Sequence, residues 1–390
     1  MAFEAGIVGG CGHAGLPLAL VLANAGVPVL AYDTDAVAVR KVAGGAMPFL
    51  EAGGDEALAA AMASGNLTVS CSPEKLSSCR FVILVVNGES PESVLSVIRD
   101  LAPHLGEGQV LVLRSTVAPG TTGKAARLLS DLGLCLPVAC CPERIAQGRG
   151  LLEIPTLPQI VSATDDSALA AVSGLFARTG AEIIPLPVEE AEFAKLLTNA
   201  WRYVEFACAN QFHALAEARG LDFSRILAAC KKDYPRLSHV PGPGFSAGPC
   251  LEKDTRMLAA WAGGAFSLGE AALAANRAMP AFLVEQAGKR ADLSVSTAGI
   301  LGLAFKAQSD DTRCSLALTL REILLPLCKE VLCADPYVDE PGLVSAGELL
   351  AVADVVFVAA PHRAFSGLAP RPGAVVLDPW GVLAPPTGAP

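Results

Sequence analysis

The stretch that decides the fold is Ala5-Gly6-Ile7-Val8-Gly9-Gly10-Cys11-Gly12-His13-Ala14-Gly15, followed by the apolar run Leu16 to Ala25 and by Val27 to Asp33. A short buried strand, a glycine turn, a helix closed at Gly26 and a second buried strand follow one another. Gly10-x-Gly12-x-x-Gly15 is the GxGxxG spacing of a dinucleotide-binding turn. Gly10 serves a tight turn, Gly12 lets a pyrophosphate approach the backbone, and Gly15 lets the helix pack on the strand. His13 and Ala14 complete the turn, and the helix N-terminus attracts the anion. Asp33 ends the second strand, where a carboxylate accepts hydrogen bonds from a ribose diol and repels a 2′-phosphate. The combination points to NAD rather than NADP. A purely structural glycine turn is the competing reading of the glycines alone.

Working outward, short apolar runs recur at Phe81–Val86, Gln109–Leu113, Leu136–Ala139 and Ile183–Pro185, with helical stretches between them. This alternation predicts a parallel sheet with helices on both faces. From Val188 to about Gly220 Pro is absent and Gly nearly so, and apolar residues fall on more than one helix face. These include Leu196, Leu197, Trp201, Val204, Ala207, Phe212 and Leu215. The stretch predicts one long, largely buried helix that connects domains, forms a dimer core, or both. Pro241 to Pro249 is too rich in Gly and Pro for regular structure. A second αβ alternation begins at Ser296, with strands at Thr297–Leu301, Glu330–Cys333, Val355–Val358 and Val375–Leu377. The expected fold is α/β: two Rossmann-like parallel-sheet domains joined by a long central helix. The expected domains are 1–187 for the dinucleotide, 188–288 for a helical segment, and 289–390 for a second α/β unit.

Composition narrows the function. The chain has 390 residues, 52% hydrophobic and only 17% charged, so it can bury large cores. Its net charge of −10 argues against nucleic-acid and anionic-membrane partners, while leaving room for a local basic pocket. The most apolar stretch, Leu16 to Ala31, contains Asn24, Gly26 and Pro28 and is short for a membrane span. No Lys or Arg precedes Arg40, so the charged start of a signal peptide is missing, and a cytoplasmic protein is expected. The 12 cysteines are then expected to be reduced, mostly small buried hydrophobes. No CxxC occurs and the five histidines are scattered, so no metal site is expected.

Several residues could carry chemistry. Lys195 and Asn199, spaced i, i+4, share one helix face. The plain reading is a solvated Lys and a surface Asn. The chemical reading is a cation and an amide donor that stabilise a developing oxyanion. Cys250 follows the Gly/Pro loop and precedes Lys253 and Asp254. Lys253 would favour the thiolate, and Asp254 could orient a water or a base. Ser115 and Thr116 follow one strand, and Glu143 and Arg144 another, at the ends where open α/β sheets bind ligands. Their plain readings are a helix cap, to which Thr121 or Thr122 is suited, and a surface acid. Lys306 and Arg313 could bind an anion, with Asp311 holding Arg313. The competing reading is a solvated, self-paired charge cluster. His362 is the remaining histidine of interest.

Together, GGCGHAGLPLA, Asp33, LRSTVAPGTT, CCPERIAQG, AEFAKLLTNAWR, PGPGFSAGPCLEKD and LAFKAQSDDTR, in that order, resemble the UDP-sugar dehydrogenases, the UDP-glucose and UDP-N-acetylhexosamine 6-dehydrogenases. The resemblance implies a two-step, four-electron oxidation of a sugar C6 alcohol to a carboxylate with NAD. It implies that Cys250 is the nucleophile, passing through a thiohemiacetal and a thioester, with Lys195 and Asn199 on the oxyanion. Glu143, Thr116 and Asp254 would position water and move protons, and Thr116 and Ser115 would lie near the cofactor. Lys306 and Arg313 would bridge the phosphates of substrate and cofactor. Gly242, Gly244, Phe245 and Gly248 would wrap the UDP-sugar, together with Glu143 and Arg144. A homodimer through the central helix is also implied. The chain departs from the family pattern at Pro249, at Val86-Asn87-Gly88, at Gln147 and at Glu205. CLEKD resembles the UDP-glucose branch, whereas PERI and NAWR resemble the other, so the sugar stays open. Two other readings stay open as well: a single-step β-hydroxyacid-type dehydrogenase and a catalytically silent NAD-binding protein.

Overall fold

The computed structural model describes residues 2–86, 88, 90–246 and 248–384. Asn87 of the Val86-Asn87-Gly88 departure and Ala247 of the Gly/Pro loop lie outside the described residues. The chain divides into two compact units, Met1–Leu197 and Thr198–Pro390.

In the first unit, strands β1 (Phe3–Val8), β2 (Val29–Tyr32), β3 (Leu67–Ser70), β4 (Cys79–Leu84), β5 (Val110–Leu113), β6 (Val138–Cys140), β7 (Gln159–Ala163) and β8 (Ile183–Pro185) form one sheet. Its order is β3-β2-β1-β4-β5-β6-β7-β8. The strands alternate by period 2 between two cores. Ala5 and Ile7, Phe81 and Ile83, and Val110 and Val112 pack on one face, with helices Gly15–Asn24 and Asp166–Ala177. Val8, Val82, Leu84, Leu111 and Leu113 pack on the other, with helices Pro91–Leu101 and Thr121–Asp131. Each fully buried aliphatic side chain contributes about 1.5–3 kcal/mol, so both faces need a helical cover.

One ladder departs from the parallel expectation. β7 runs antiparallel to β6, with Ala139 opposite Ala163 and Cys140 opposite Ser162. The segment 141–158 between them holds as its helix only the single turn Gly150–Glu153, not the full-length helix of a βαβ crossover.

The second unit holds a four-stranded parallel sheet of β9 (Thr297–Leu301), β10 (Glu330–Ala334), β11 (Val355–Val358) and β12 (Val375–Leu377), in the order β10-β9-β11-β12. Val355 and Phe357 face one core, and Val356 and Val358 the other. Ahead of this sheet in the chain come helices Leu251–Trp261, Ser267–Arg277 and Met279–Gly288. The long helix spans Val188–Glu217. Its expected burial is incomplete: Leu197, Trp201, Phe212 and Leu215 are 49, 61, 61 and 61% exposed. These four form a stripe that the chain itself leaves uncovered.

Candidate active site

In both sheets the strand order reverses beside the first strand, between β1 and β4 and between β9 and β11. Such switch points open a crevice at the carboxyl ends of the strands. The sequence candidates of the first unit leave β1, β2, β5 and β6, apart from Lys195 on the long helix. In the second, Lys306 and Arg313 follow β9 and His362 follows β11, while the other candidates lie on the long helix, the Gly/Pro loop and the helix Leu251–Trp261.

At the first switch point the turn residue in left-handed conformation is Gly9 (φ 80°), not Gly10 as the spacing suggested. Gly10 is required for a different reason: a Cβ there would lie 2.7 Å from Cα of Ala31 on β2. A Cβ on Gly15 would lie 2.0 Å from the Gly9 carbonyl oxygen, so Gly15 is where helix meets strand. At Gly12 a Cβ would meet only that same oxygen, at 3.4 Å, which leaves the cradle open. No side chain caps the helix that follows, and no acid sits in its first turn. Asp33 accepts the Cys11 N–H at 3.0 Å and the Asp35 N–H at 3.0 Å, which fixes its carboxylate beside the turn. His13 stacks on Phe49 with centroids 4.1 Å apart. An open glycine cradle, an uncapped helix N-terminus and a held carboxylate fit a dinucleotide with a ribose diol.

The loops beside it are tied down by groups that sequence reasoning missed. Ser115 is buried, and its hydroxyl accepts the Val86 N–H (2.9 Å) and donates to the Leu84 carbonyl (3.1 Å), bracing the end of β4. Thr116 is half-buried beside it. Arg114, 1% exposed, pairs with Glu143, donates to the Cys141 carbonyl (3.3 Å) and to Gln159 (3.1 Å), and lies 4.9 Å from the centre of the Phe176 ring. The other Glu143 oxygen accepts the N–H of Arg144 (2.7 Å) and Ile145 (3.0 Å). Glu143 is therefore an oriented, ion-paired carboxylate rather than a surface acid. Arg144 donates to the Pro158 carbonyl.

The helix Thr121–Asp131 is capped in a way the sequence did not suggest. Its N-cap is Gly120 (φ 88°), and buried Glu192 of the long helix accepts from Gly120 N (2.6 Å), Thr122 N (2.7 Å) and the Thr122 hydroxyl (2.7 Å). Burial raises the Glu192 carboxyl above its ordinary range, against these bonds and the helix N-terminus. The only sequence signal was an acid directly ahead of the Lys195 face.

Lys195 and Asn199 are 7 and 5% exposed, which removes the reading of a solvated pair. Asn199 donates to Asp254 Oδ2 at 2.6 Å. Lys253 Nζ lies 2.8 Å from Asp254 Oδ1, so Asp254 takes up the charge that the sequence assigned to the thiolate. Asp254 is fully buried, with a cation on one oxygen and an amide donor on the other.

Cys250 is exposed and is the N-cap of the helix Leu251–Trp261. Positive potential reaches it from the helix N-terminus and from Arg313, whose guanidinium interacts electrostatically with the sulfur. Asp311 holds Arg313 through Nε (2.9 Å) and Nη2 (2.6 Å), and this bond is the main reason the guanidinium titrates above its ordinary range. Lys306 Nζ sits 5.8 Å from the Phe305 ring centre. The expectation that most cysteines are buried fails. Only Cys11, Cys79, Cys140, Cys141 and Cys333 are buried, because the others fall on loops and solvent faces of helices. Burial raises the thiols of Cys11, Cys79 and Cys141 to about 12 and makes them inert at neutral pH. Position, not burial, is what singles out Cys250.

The Gly/Pro loop is clamped on three sides. Asn210, buried on the long helix, donates to the Gly244 carbonyl (3.0 Å) and accepts the Gly244 N–H (2.7 Å), and Asn276 steadies it (2.8 Å). A Cβ at Gly244 (φ 149°) would lie 2.3 Å from the Trp380 ring, and one at Gly248 (φ 98°) 2.3 Å from the Phe305 ring. Phe245 is 5% exposed and belongs to the core with Met279 and Leu283, so it anchors the loop instead of lining its surface. Gly242 faces open space.

Comparison with known proteins agrees with this arrangement. Three models of the UDP-glucose/GDP-mannose dehydrogenase family match in order: the NAD binding domain over residues 5–180, the central domain over 189–278 and the UDP binding domain over 299–385. A UDP-N-acetyl-D-mannosamine dehydrogenase of Pyrococcus horikoshii is 33% identical over 92% of this chain and 90% of its own. One from Methanocaldococcus jannaschii is 29% identical over 90% and 84%. The solved structure of the P. horikoshii UDP-D-ManNAc dehydrogenase superposes with a TM-score of 0.86 at 30% identity, covering 93% of this chain and 90% of that one. An NAD cradle, a helical segment with a cysteine at a helix N-terminus and a second switch point with two cations thus fall within three successive domains of one family. The chain is a member of the UDP-glucose/GDP-mannose dehydrogenase family, an NAD-dependent oxidoreductase.

Proposed function

We propose that the protein oxidises the C6 alcohol of a UDP-sugar to the uronic acid in two steps, through a covalent bond to Cys250. The observation that carries this reading is an exposed thiol at a helix N-terminus beside Arg313, with Asn199 and Asp254 bonded nearby. A single hydride transfer needs no nucleophile, whereas an aldehyde on the way to an acid must be captured before it escapes. Gly10, Gly12, His13, Ala14, Gly15 and Asp33 would hold NAD, which when bound supplies the hydride acceptor twice, one NAD for the C6 alcohol and a second for the Cys250 thiohemiacetal that thereby becomes the thioester. The Cys250 sulfur adds to the aldehyde carbon, and Lys195 and Asn199 stabilise the oxyanion at O6. Glu143, held by Arg114, orients the water that cleaves the resulting thioester. Asp254 and Thr116 relay protons. Lys306 and Arg313 neutralise the diphosphate, which explains how an acidic protein binds an anionic substrate. The names of the relatives favour an N-acetylhexosamine as the sugar.

A panel of UDP-sugars assayed for NADH tests this reading. Two NADH per sugar consumed are expected on the true substrate. One per sugar would mean the single-step β-hydroxyacid-type reaction, and none on any sugar, despite NAD binding, a silent protein. The reading implies a reducing, cytoplasmic setting that keeps Cys250 a thiol.

The partner we infer is a second copy of the chain, packed on the uncovered stripe Leu197, Trp201, Phe212 and Leu215. Trp201→Glu places a charge in that interface and removes its largest anchor. At hot-spot cost of about 2 kcal/mol or more, dimer affinity falls at least roughly 30-fold. Sedimentation should change from dimer to monomer at micromolar concentration; an unchanged dimer would reject the helix as the interface.

A further inference from the structure

The mechanism leaves the buried pair His362 and Asp335 unused. His362 follows β11 and is fully buried, and Asp335 follows β10 with its side chain equally buried. The His362 Nδ1 accepts the backbone N–H of Gln308 at 3.0 Å. A backbone N–H can only donate, so Nδ1 carries no proton and Nε2–H points at Asp335 Oδ2, 3.2 Å away. The same Asp335 oxygen accepts Leu303 N (2.7 Å) and Ala304 N (3.1 Å), and Oδ1 accepts Tyr337 N (2.8 Å) and Val338 N (3.1 Å). Burial alone would raise this carboxyl. The bonds to His362 and to Tyr337 and Leu303 outweigh it and bring the group down to about 2.

The chain ends at β10 and β11 are thus joined to the loop that leaves β9. That loop closes on itself through Phe305 N to the Asp311 carbonyl (3.0 Å) and carries Lys306 and Arg313. Gln308 lies at its tip with φ 54°, a conformation a side-chain-bearing residue adopts only when held. Every polar group of Gln308 on this side is held: its N–H by His362, its Oε1 by Arg363 N (2.8 Å) and its Nε2 by the Tyr337 hydroxyl (2.8 Å).

We propose that His362 and Asp335 are positioning residues that lock the Gln308 turn and thereby set Lys306 and Arg313 for the diphosphate of a nucleoside diphosphate ligand. The inference rests on the nucleotide-sugar reading above and adds the residues that make its phosphate site rigid. His362 then acts as a fixed acceptor and takes no part in proton transfer to substrate. Its ring edges are sealed by Tyr337 at 5.1 Å and Phe365 at 5.4 Å, which keeps water from competing for Nδ1.

The test is UDP binding by calorimetry on the full chain, alongside KM and kcat. His362→Leu removes the acceptor, whereas His362→Asn offers an amide oxygen where Nδ1 sits. His362→Leu should weaken UDP binding and raise the sugar-nucleotide KM by about tenfold or more, with a much smaller rise in the KM for NAD. His362→Asn should recover most of that loss. A merely structural histidine would lower the active fraction, and so kcat, without splitting the two KM values. Should His362→Leu not fold, Gln308→Gly decides, because glycine accepts the left-handed turn while losing both side-chain ties. It should stay folded and bind UDP several-fold more weakly. Wild-type UDP affinity in both variants would overturn the proposal. Absence of UDP binding by the unsubstituted protein would instead overturn the nucleotide-sugar reading, and the proposal with it.

Discussion

Cys250→Ser is expected to abolish uronate formation, by at least about 10³-fold, while leaving NAD binding intact. The sulfur sits where a helix N-terminus and Arg313 together favour a negative charge. Serine placed there has a hydroxyl that stays protonated at neutral pH, so the same field has almost no anion to stabilise. The loss should appear wholly in the chemistry. The NAD cradle lies at the switch point of the first sheet, and its residues belong to the other compact unit, so the affinity for NAD should match wild type by calorimetry or thermal shift. The alternative nucleophiles are excluded by the same experiment. Cys11, Cys140 and Cys141 also lie near strand ends, but they are buried: burial raises the thiols of Cys11 and Cys141 to about 12 and pushes that of Cys140 well above its ordinary value. Full turnover by Cys250→Ser would therefore remove covalent catalysis by Cys250 from the reading; Cys314, also exposed and also beside Arg313, precedes the N-cap Ser315 and does not itself cap a helix.

Strands that alternate between two cores announce themselves as runs of Val, Ile and Leu, and β9, β11 and β12 fall where those runs predict. β3 carries only Leu67 and Val69 as apolar residues and lies at the sheet edge, and β7 opens on Gln159, so neither gave a clear run. The chemical motifs were legible because glycines, a cysteine and an i, i+4 pair carry their meaning locally. Arg114, Glu192 and Asn210 were not, because each acquires its role from a distant partner: Gln159 45 residues away, Thr122 70 away, Gly244 34 away. Lone polar residues in apolar segments read as surface until burial is known. Arg114 did leave one trace, as the single charge directly after four buried residues of β5.

Arg114→Leu is expected to be the most destabilising single change around the site. Removing one partner of a buried ion pair costs about 3–5 kcal/mol, because the remaining charge is left in low dielectric. Arg114 has no exposed side-chain surface and Glu143 only 13%, so water cannot replace the guanidinium. For a unit of this size that loss lowers Tm by roughly 6–20 °C. The Cys141 carbonyl and Gln159 lose a donor as well. Glu143→Gln should cost less in stability, since the amide oxygen still accepts from Arg144 and Ile145, and Arg114 keeps its bonds to Cys141 and Gln159. Both single variants should lose about 10²-fold in kcat, because an unheld or uncharged side chain at 143 cannot orient water. The double variant Arg114→Leu/Glu143→Leu separates the two roles. Replacing a whole buried pair by apolar side chains is often near neutral, so Tm should recover much of the loss while activity stays absent. If activity returned with stability, Glu143 would be only a structural counter-ion, and the water-orienting role would have to move to Asp254, whose two oxygens are held by Lys253 and Asn199.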